Sequence, residues 1–286
     1  MNKLKIIFFG SGSYSIPVIK MLTSHGLKLV LTTETDGELI EYLESNQIPF
    51  LSTKVTEDKQ ISKKELWSKV QDIKPDLGIL ASFGAIIPQY IIDIFPHGIW
   101  NIHPSLLPQY KGPSPIQYTL LSDDTKTGVT IITLDDQIDH GPILAQESLT
   151  LKETHTTEEL KHTLFAKGSE MIETLVEKLE KGENITSIPQ DHTNETWTEK
   201  IVKQDGQIDL ESPPSPKMLD KMIRAYFPWP GVLLYWKTKN GKTKIVKLLP
   251  EGKIQVEGKK EMQYKEFVNG YQEEGELLLK KLNLIS

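Results

Sequence analysis

The chain has 286 residues, 38% apolar and 25% charged, which suits a soluble globular protein of one large domain or two smaller ones. It has no cysteine, which excludes disulfides, thiolate metal sites and cysteine nucleophiles. The net charge of −6 argues against a general nucleic-acid-binding surface, but residues 199–286 hold 16 basic and 12 acidic side chains, or +4, and the rest is left at −10. Such halves suit an acidic catalytic domain and a basic appendage that meets an anionic partner; they also suit lysine-rich strands kept soluble.

The opening run Ile6-Ile7-Phe8-Phe9-Gly10 stops at a Gly/Ser turn, too soon for a secretory signal, so residues 4–9 are expected to form a buried first strand. No run approaches the ~20 apolar residues of a membrane span, so a cytoplasmic protein without membrane contact is expected. Further strands are predicted at 27–32, 49–52, 77–82 and 99–103, with helices at 14–24, 38–45, 62–73 and 89–95 between them. This alternation predicts a Rossmann-like α/β architecture, a mostly parallel sheet with helices on both faces. Strand-like runs follow at 129–134 and 143–150, joined by an acidic turn. A long helix then opens at Thr156 and Thr157 with Glu159 as a cap and closes at Gly182. A catalytic domain is expected over residues 1–185 and a polar linker over 186–200. Residues 201–286 are expected to be a small C-terminal β-barrel of OB-like type. It would hold one helix (213–224), strands at 232–238, 244–249 and 253–256, and a Leu-rich final strand. Asn240-Gly241 is a two-residue hairpin signal.

Gly10-Ser11-Gly12 after the first strand lacks the third glycine of a dinucleotide fingerprint, since Ser15 stands there. A tight strand-to-helix turn explains it without a nucleotide. Asn101 and His103 carry more information. Alternate residues of a strand share a face, so the two project together from a strand end, ahead of a loop stiffened by Pro104, Pro108, Pro113 and Pro115. Asp139 sits in the turn before His140-Gly141-Pro142. An Asn, a His and an Asp can serve acyl transfer to an amine. The amide or imidazolium donates to a developing oxyanion, and the carboxylate orients the His and takes a proton.

The ordered stretch Asn101-Ile102-His103-Pro104-Ser105-Leu106-Leu107-Pro108, with Tyr110-Lys111-Gly112, Gly128-Val129-Thr130, Asp139 and Gly141, resembles the signature of the 10-formyltetrahydrofolate-dependent transformylases across about residues 1–180. The resemblance implies that Asn101, His103 and Asp139 are catalytic. It also implies that Ser105, Leu106, Leu107 and Pro108 line the site of 10-formyltetrahydrofolate, and that no metal or nucleotide is used. Arg224-Ala225-Tyr226-Phe227-Pro228-Trp229-Pro230-Gly231 resembles the stretch that opens the C-terminal domain of family members acting on tRNA. It implies charged initiator methionyl-tRNA as acceptor, for translation initiation; a monomer is expected. A two-residue Asn240-Gly241 loop would set Lys239 opposite Lys242 and Lys237 opposite Lys244, four ammonium groups on one face. Together with Arg224 they are the expected tRNA contacts. Where tRNA-directed members carry a long basic loop, this chain has the short acidic run Thr32-Thr33-Glu34-Thr35-Asp36-Gly37-Glu38. The alternative acceptor is a nucleotide-linked amino sugar.

Overall fold

A computed structural model describes residues 3–52 and 64–285. Residues 62 and 63, the expected start of the third helix, lie outside the described residues. The chain divides into two compact units, Met1–Pro115 with Lys126–Thr150 and Lys161–Thr198, and Ile116–Thr125 with Leu151–Leu160 and Glu199–Ser286.

The first unit holds β1 (Ile6–Gly10), α1 (Ile16–His25), β2 (Leu27–Thr32), α2 (Glu38–Ser45), β3 (Phe50–Ser52), α3 (Lys64–Ile73), β4 (Leu77–Ala81), α4 (Gln89–Ile92), β5 (Ile99–His103), β6 (Lys126–Thr133) and β7 (Ile143–Thr150). They form the expected Rossmann-like sheet, seven strands in the order β3-β2-β1-β4-β5-β6-β7. β1 to β5 run parallel, while β6 and β7 turn antiparallel at one edge. All five residues of β1 and of β5 are buried, as strands covered on both faces must be. Phe9 anchors the core, meeting Phe83 and Phe95 edge-on with ring centroids 5.5 and 6.0 Å away.

Strand order reverses between β1 and β4, the place where such sheets bind ligands at their carboxyl ends. The Gly10-Ser11-Gly12 turn lies there without the geometry of a phosphate site. Gly12 has φ 85°, and a Cβ on it would stand 2.3 Å from the Tyr14 ring. Its N–H is donated to Glu34 Oε1 at 2.7 Å, and Ser11 Oγ pairs with Thr33 Oγ1 at 2.7 Å. The glycine is therefore a requirement of the turn, and the acidic run after β2 closes it.

In the second unit lie α5 (Pro115–Leu121), β8 (Gln207–Ile208), α7 (Pro216–Ala225), β9 (Val232–Lys237), β10 (Thr243–Leu249), β11 (Lys253–Val256), β12 (Met262–Gln263) and α8 (Tyr264–Lys281). Helix α6 (Thr157–Glu180) is shared by sequence between the units, and the reciprocal Thr156–Glu159 capping bonds of 2.9 and 3.3 Å form at its start. The strands make a five-stranded sheet in the order β12-β11-β10-β9-β8. Helix α5 was hidden in the Pro-rich run; its first residue is a proline, which suits a first helical turn.

Two expectations fail here. The expected Leu-rich final strand is helix α8. The helix is kinked at Gln272 (φ 49°), so Phe267 is buried from the segment before the kink, while after it Gly275, Leu278 and Leu279 are buried and Leu277 is exposed, an arrangement that the run Leu277-Leu278-Leu279 conceals. The expected lysine face is also absent. Thr238 and Lys242 close a three-residue loop with Gly241 at φ 75°, so Lys237 pairs with Thr243 and Lys244 with Trp236. Lys237 and Lys244 thus point to opposite faces of the sheet. Lys244 Nζ lies 5.1 Å from the centroid of the Tyr271 ring, and Lys239 Nζ is bonded to Glu273 at 2.7 Å.

Candidate active site

β5 ends at His103, and its alternation carries Asn101 and His103 to one face as expected. β6 pairs with β5 at Asn101↔Ile132 and His103↔Thr130. The connection from β6 to β7 then folds back, because Gly141 lets the chain pass so close to Thr133 that a Cβ would stand 1.8 Å from its carbonyl oxygen. This return brings Asp139, at φ 49°, onto the strand end. One carboxylate oxygen, Oδ1, accepts from Asn101 Nδ2 at 3.3 Å and faces His103 Nδ1 at 3.4 Å. The other, Oδ2, accepts the Gly112 N–H at 2.8 Å. The three side chains predicted from sequence thus meet at one carboxylate, and all three are buried.

The charges follow from this packing. Burial pushes the His103 imidazole down, but the Asp139 carboxylate and the Tyr110 carbonyl outweigh it, and the net direction is up. Nε2 lies 3.0 Å from Tyr110 O. Both ring nitrogens therefore face acceptors, which suits a doubly protonated imidazolium. Burial pushes the Asp139 carboxyl up, but the His103 charge and the Gly112 N–H prevail and hold it below the usual carboxylate value. The pair is arranged as a buried imidazolium and carboxylate.

The loop after β5 is fixed by polar contacts that its sequence did not reveal. Ser105 Oγ donates to Gln109 O at 2.6 Å, so this hydroxyl holds its own loop. Thr130 Oγ1 donates to Ser105 O at 2.7 Å and accepts from Leu107 N at 3.1 Å. Gln146, which pairs with Thr130 across β6 and β7, donates to Leu107 O at 2.9 Å. Leu107-Pro108 is a cis peptide, and Leu107 is buried. Thr130 and Gln146 share a sheet face, which strand alternation could have indicated; nothing local marks them as partners of a loop.

Lys111 is almost wholly buried at 1% exposure, and its Nζ is bonded to Glu195 Oε2 at 2.6 Å and to His192 Nδ1 at 3.0 Å. Gln190 Nε2 donates both to Asp139 O at 2.9 Å and to Gly141 O at 2.8 Å. The opposite amide orientation would set its oxygen against two carbonyls, so the assignment is fixed by the network. Its own Oε1 is buried and has no hydrogen-bond partner among the described residues, a cost of about 1–3 kcal/mol that the fold accepts to hold this turn. Of the remaining predicted residues, Arg224 bonds Asp220 at 2.9 Å and donates to His155 O at 3.2 Å within the second unit. Among the described residues no cluster of carboxylates and histidines fits a metal ion, and no helix is long and apolar enough to cross a membrane.

The family described as "Formyl transferase" matches residues 4–176. A methionyl-tRNA formyltransferase from Chloroflexus aggregans is 34% identical over 241 residues, covering 82% of this chain and 77% of the relative. One from Thermodesulfovibrio yellowstonii is 31% identical over 300 residues, covering 93% of this chain and 95% of the relative. Among solved structures, a 4-N formyltransferase from Francisella tularensis superposes with a TM-score of 0.67 at 18% identity, over 88% of this chain and 99% of that one, a likeness of fold.

Proposed function

We propose that this chain, which belongs to the formyl transferase family, moves a formyl group from 10-formyltetrahydrofolate to the α-amino group of charged initiator methionyl-tRNA, for translation initiation. The observation that carries the acceptor is the extent of the Thermodesulfovibrio similarity, which reaches 93% of the chain and so runs well past the 4–176 match into the second unit. In this reading residues 1–185 are the catalytic domain, 186–200 the connection and 201–286 the tRNA-binding domain, and the protein works as a cytoplasmic monomer.

The amine attacks the formyl carbon, and a tetrahedral intermediate forms with negative charge on the formyl oxygen. Asn101, through its second amide hydrogen, donates to that oxygen, and the positive charge of the His103 imidazolium, held between Asp139 and the Tyr110 carbonyl, stabilises the intermediate from beside it. Asp139 accepts the proton lost by the amine, directly or through water. When the intermediate collapses, the bond from carbon to the folate nitrogen breaks and that nitrogen takes up a proton. Ser105, Leu106, Leu107 and Pro108 line the donor's site. Burial strengthens each interaction with developing charge, because little water is present to screen it. Arg224, Lys237, Lys239, Lys242 and Lys244 remain proposed tRNA contacts, with Lys237 and Lys244 now assigned to different faces.

The test is purified chain with 10-formyltetrahydrofolate and charged initiator tRNA, read by formyl-methionine release. No product from tRNA, with formylation of a nucleotide-linked amino sugar instead, would overturn the acceptor. That second acceptor is favoured by one observation, the Glu34 carboxylate on the Gly12 turn where a basic tRNA-directed loop was expected.

A further inference from the structure

We propose that residues 190–198 are part of the catalytic apparatus, with Gln190 and the Lys111–Glu195 pair as positioning residues for Asp139 and His103; this rests on reading those two residues as the formyl-transfer site. Composition marks the segment as a spacer. Its bonds assign it another task.

His103 and Asp139 are each oriented by one backbone group of the same short stretch. Tyr110 O faces His103 Nε2 at 3.0 Å, and the Gly112 N–H binds Asp139 Oδ2 at 2.8 Å. That stretch belongs to no strand of the sheet; residues 190–198 hold it. Lys111 N–H donates to Thr196 O at 2.8 Å, and Lys111 O accepts from the Thr198 N–H at 2.7 Å and from Thr198 Oγ1 at 2.9 Å. Tyr110 N–H donates to Thr196 Oγ1 at 2.8 Å. Gly112, at φ 101°, passes so near that a Cβ would stand 2.7 Å from Thr198 O. The Lys111 side chain locks the register through Glu195 and His192, and the His192 ring stacks on His140, the neighbour of Asp139, with centroids 4.3 Å apart. From the other side Gln190 ties down the carbonyls of Asp139 and Gly141. One strap thus clamps both the turn that presents the carboxylate and the loop whose backbone orients His103 and Asp139. A buried amide that spends both hydrogens on one turn, and a buried ammonium spent on a strap, are costly unless the position they define matters.

The test uses full-length protein with Gln190→Ala, Lys111→Met and Lys111→Arg, none of which removes a group that reacts. A misplacement of this kind is expected to lower kcat on the order of 10²-fold. KM for donor and acceptor should stay within about threefold, since the binding surfaces are untouched. Lys111→Arg should recover most of the rate lost in Lys111→Met. In Gln190→Ala the kcat–pH profile should narrow from both sides, because a loosened Asp139 regains an ordinary carboxylate value and His103 loses its partner; the Lys111 variants are judged by rate alone, since the Lys111 charge itself lowers both groups. A kcat within threefold of wild type in folded Gln190→Ala, or a loss that tracks only the folded fraction with an unchanged pH profile, would overturn the proposal. NMR titration of the His103 ring without substrate separates this idea from the one beneath it. A lower midpoint in Gln190→Ala supports the clamp and an unmoved one refutes it, while a wild-type chain that formylates neither amine refutes the formyl-transfer reading instead.

Discussion

Asp139 Oδ2 takes the Gly112 N–H at 2.8 Å, and so cannot exchange its carboxylate for an amide without penalty. In Asp139→Asn either the new NH2 group opposes the Gly112 N–H, or it turns toward Asn101 and His103 and opposes their donors. The expected result is a fall in kcat of about 10²–10⁴-fold, with tRNA affinity by filter binding unchanged. A rate within about threefold of wild type would remove Asp139 from the mechanism.

The same pair sets a window of pH stability. His103 is raised from 6.5 in the fold, so it contributes stability fully below 6.5, and that contribution is lost as pH rises through the raised value. Asp139 is lowered from 3.8, so its contribution is present above 3.8 and is lost as pH falls through the lowered value. Urea unfolding of wild type against His103→Gln should therefore differ most between 3.8 and 6.5, with the gap closing on both sides. A gap constant with pH would show that the imidazolium–carboxylate pair is not formed.

Lys221 is buried in the second unit, donating to the carbonyls of Leu121 and Ser122 and to Asp123 Oδ1 at 2.7 Å. Lys221→Met keeps the stem but strips the donor from two carbonyls. A destabilisation of about 1–3 kcal/mol is expected, measurable as a lower urea midpoint with an unchanged slope. No change would mean that solvent satisfies those carbonyls in the variant.

The hairpin register predicts unequal lysines. Lys239 is committed to Glu273, and Lys244 lies against Tyr271 on the face opposite Lys237. Replacing all four lysines by alanine should then lower the salt slope of tRNA binding by about one to two contacts' worth, at roughly 0.7–0.9 per contact. A fall equivalent to four contacts would restore a single lysine face.

Much of the fold was legible because each strand of the parallel sheet is short, apolar and punctuated. Asn101 and His103 were legible because a strand's alternation is strictly local, and Asp139 because Gly141 and Pro142 mark its turn. Gln190 and Lys111 were not, since their meaning lies in contacts 49 to 84 residues away. The hairpin failed by one residue. Asn240-Gly241 is a sound turn signal, but the Thr238–Lys242 closure adds a loop position, and one residue of slip moves a side chain to the other face. The C-terminal helix failed because three adjacent leucines read as a strand and because the kink at Gln272 interrupts the helical period on either side of it.

The Glu34 carboxylate on Gly12 has a consequence for how the molecule looks to a charged solute. In most sheets of this kind the first strand-to-helix turn is the most electropositive spot along the carboxyl edge, and phosphate settles on it. Here the Gly12 N–H of that turn is already taken by a carboxylate of the same chain, so the donor an anion would use is occupied from within. The first turn of the sheet is thereby closed by its own neighbour instead of being left open for a ligand.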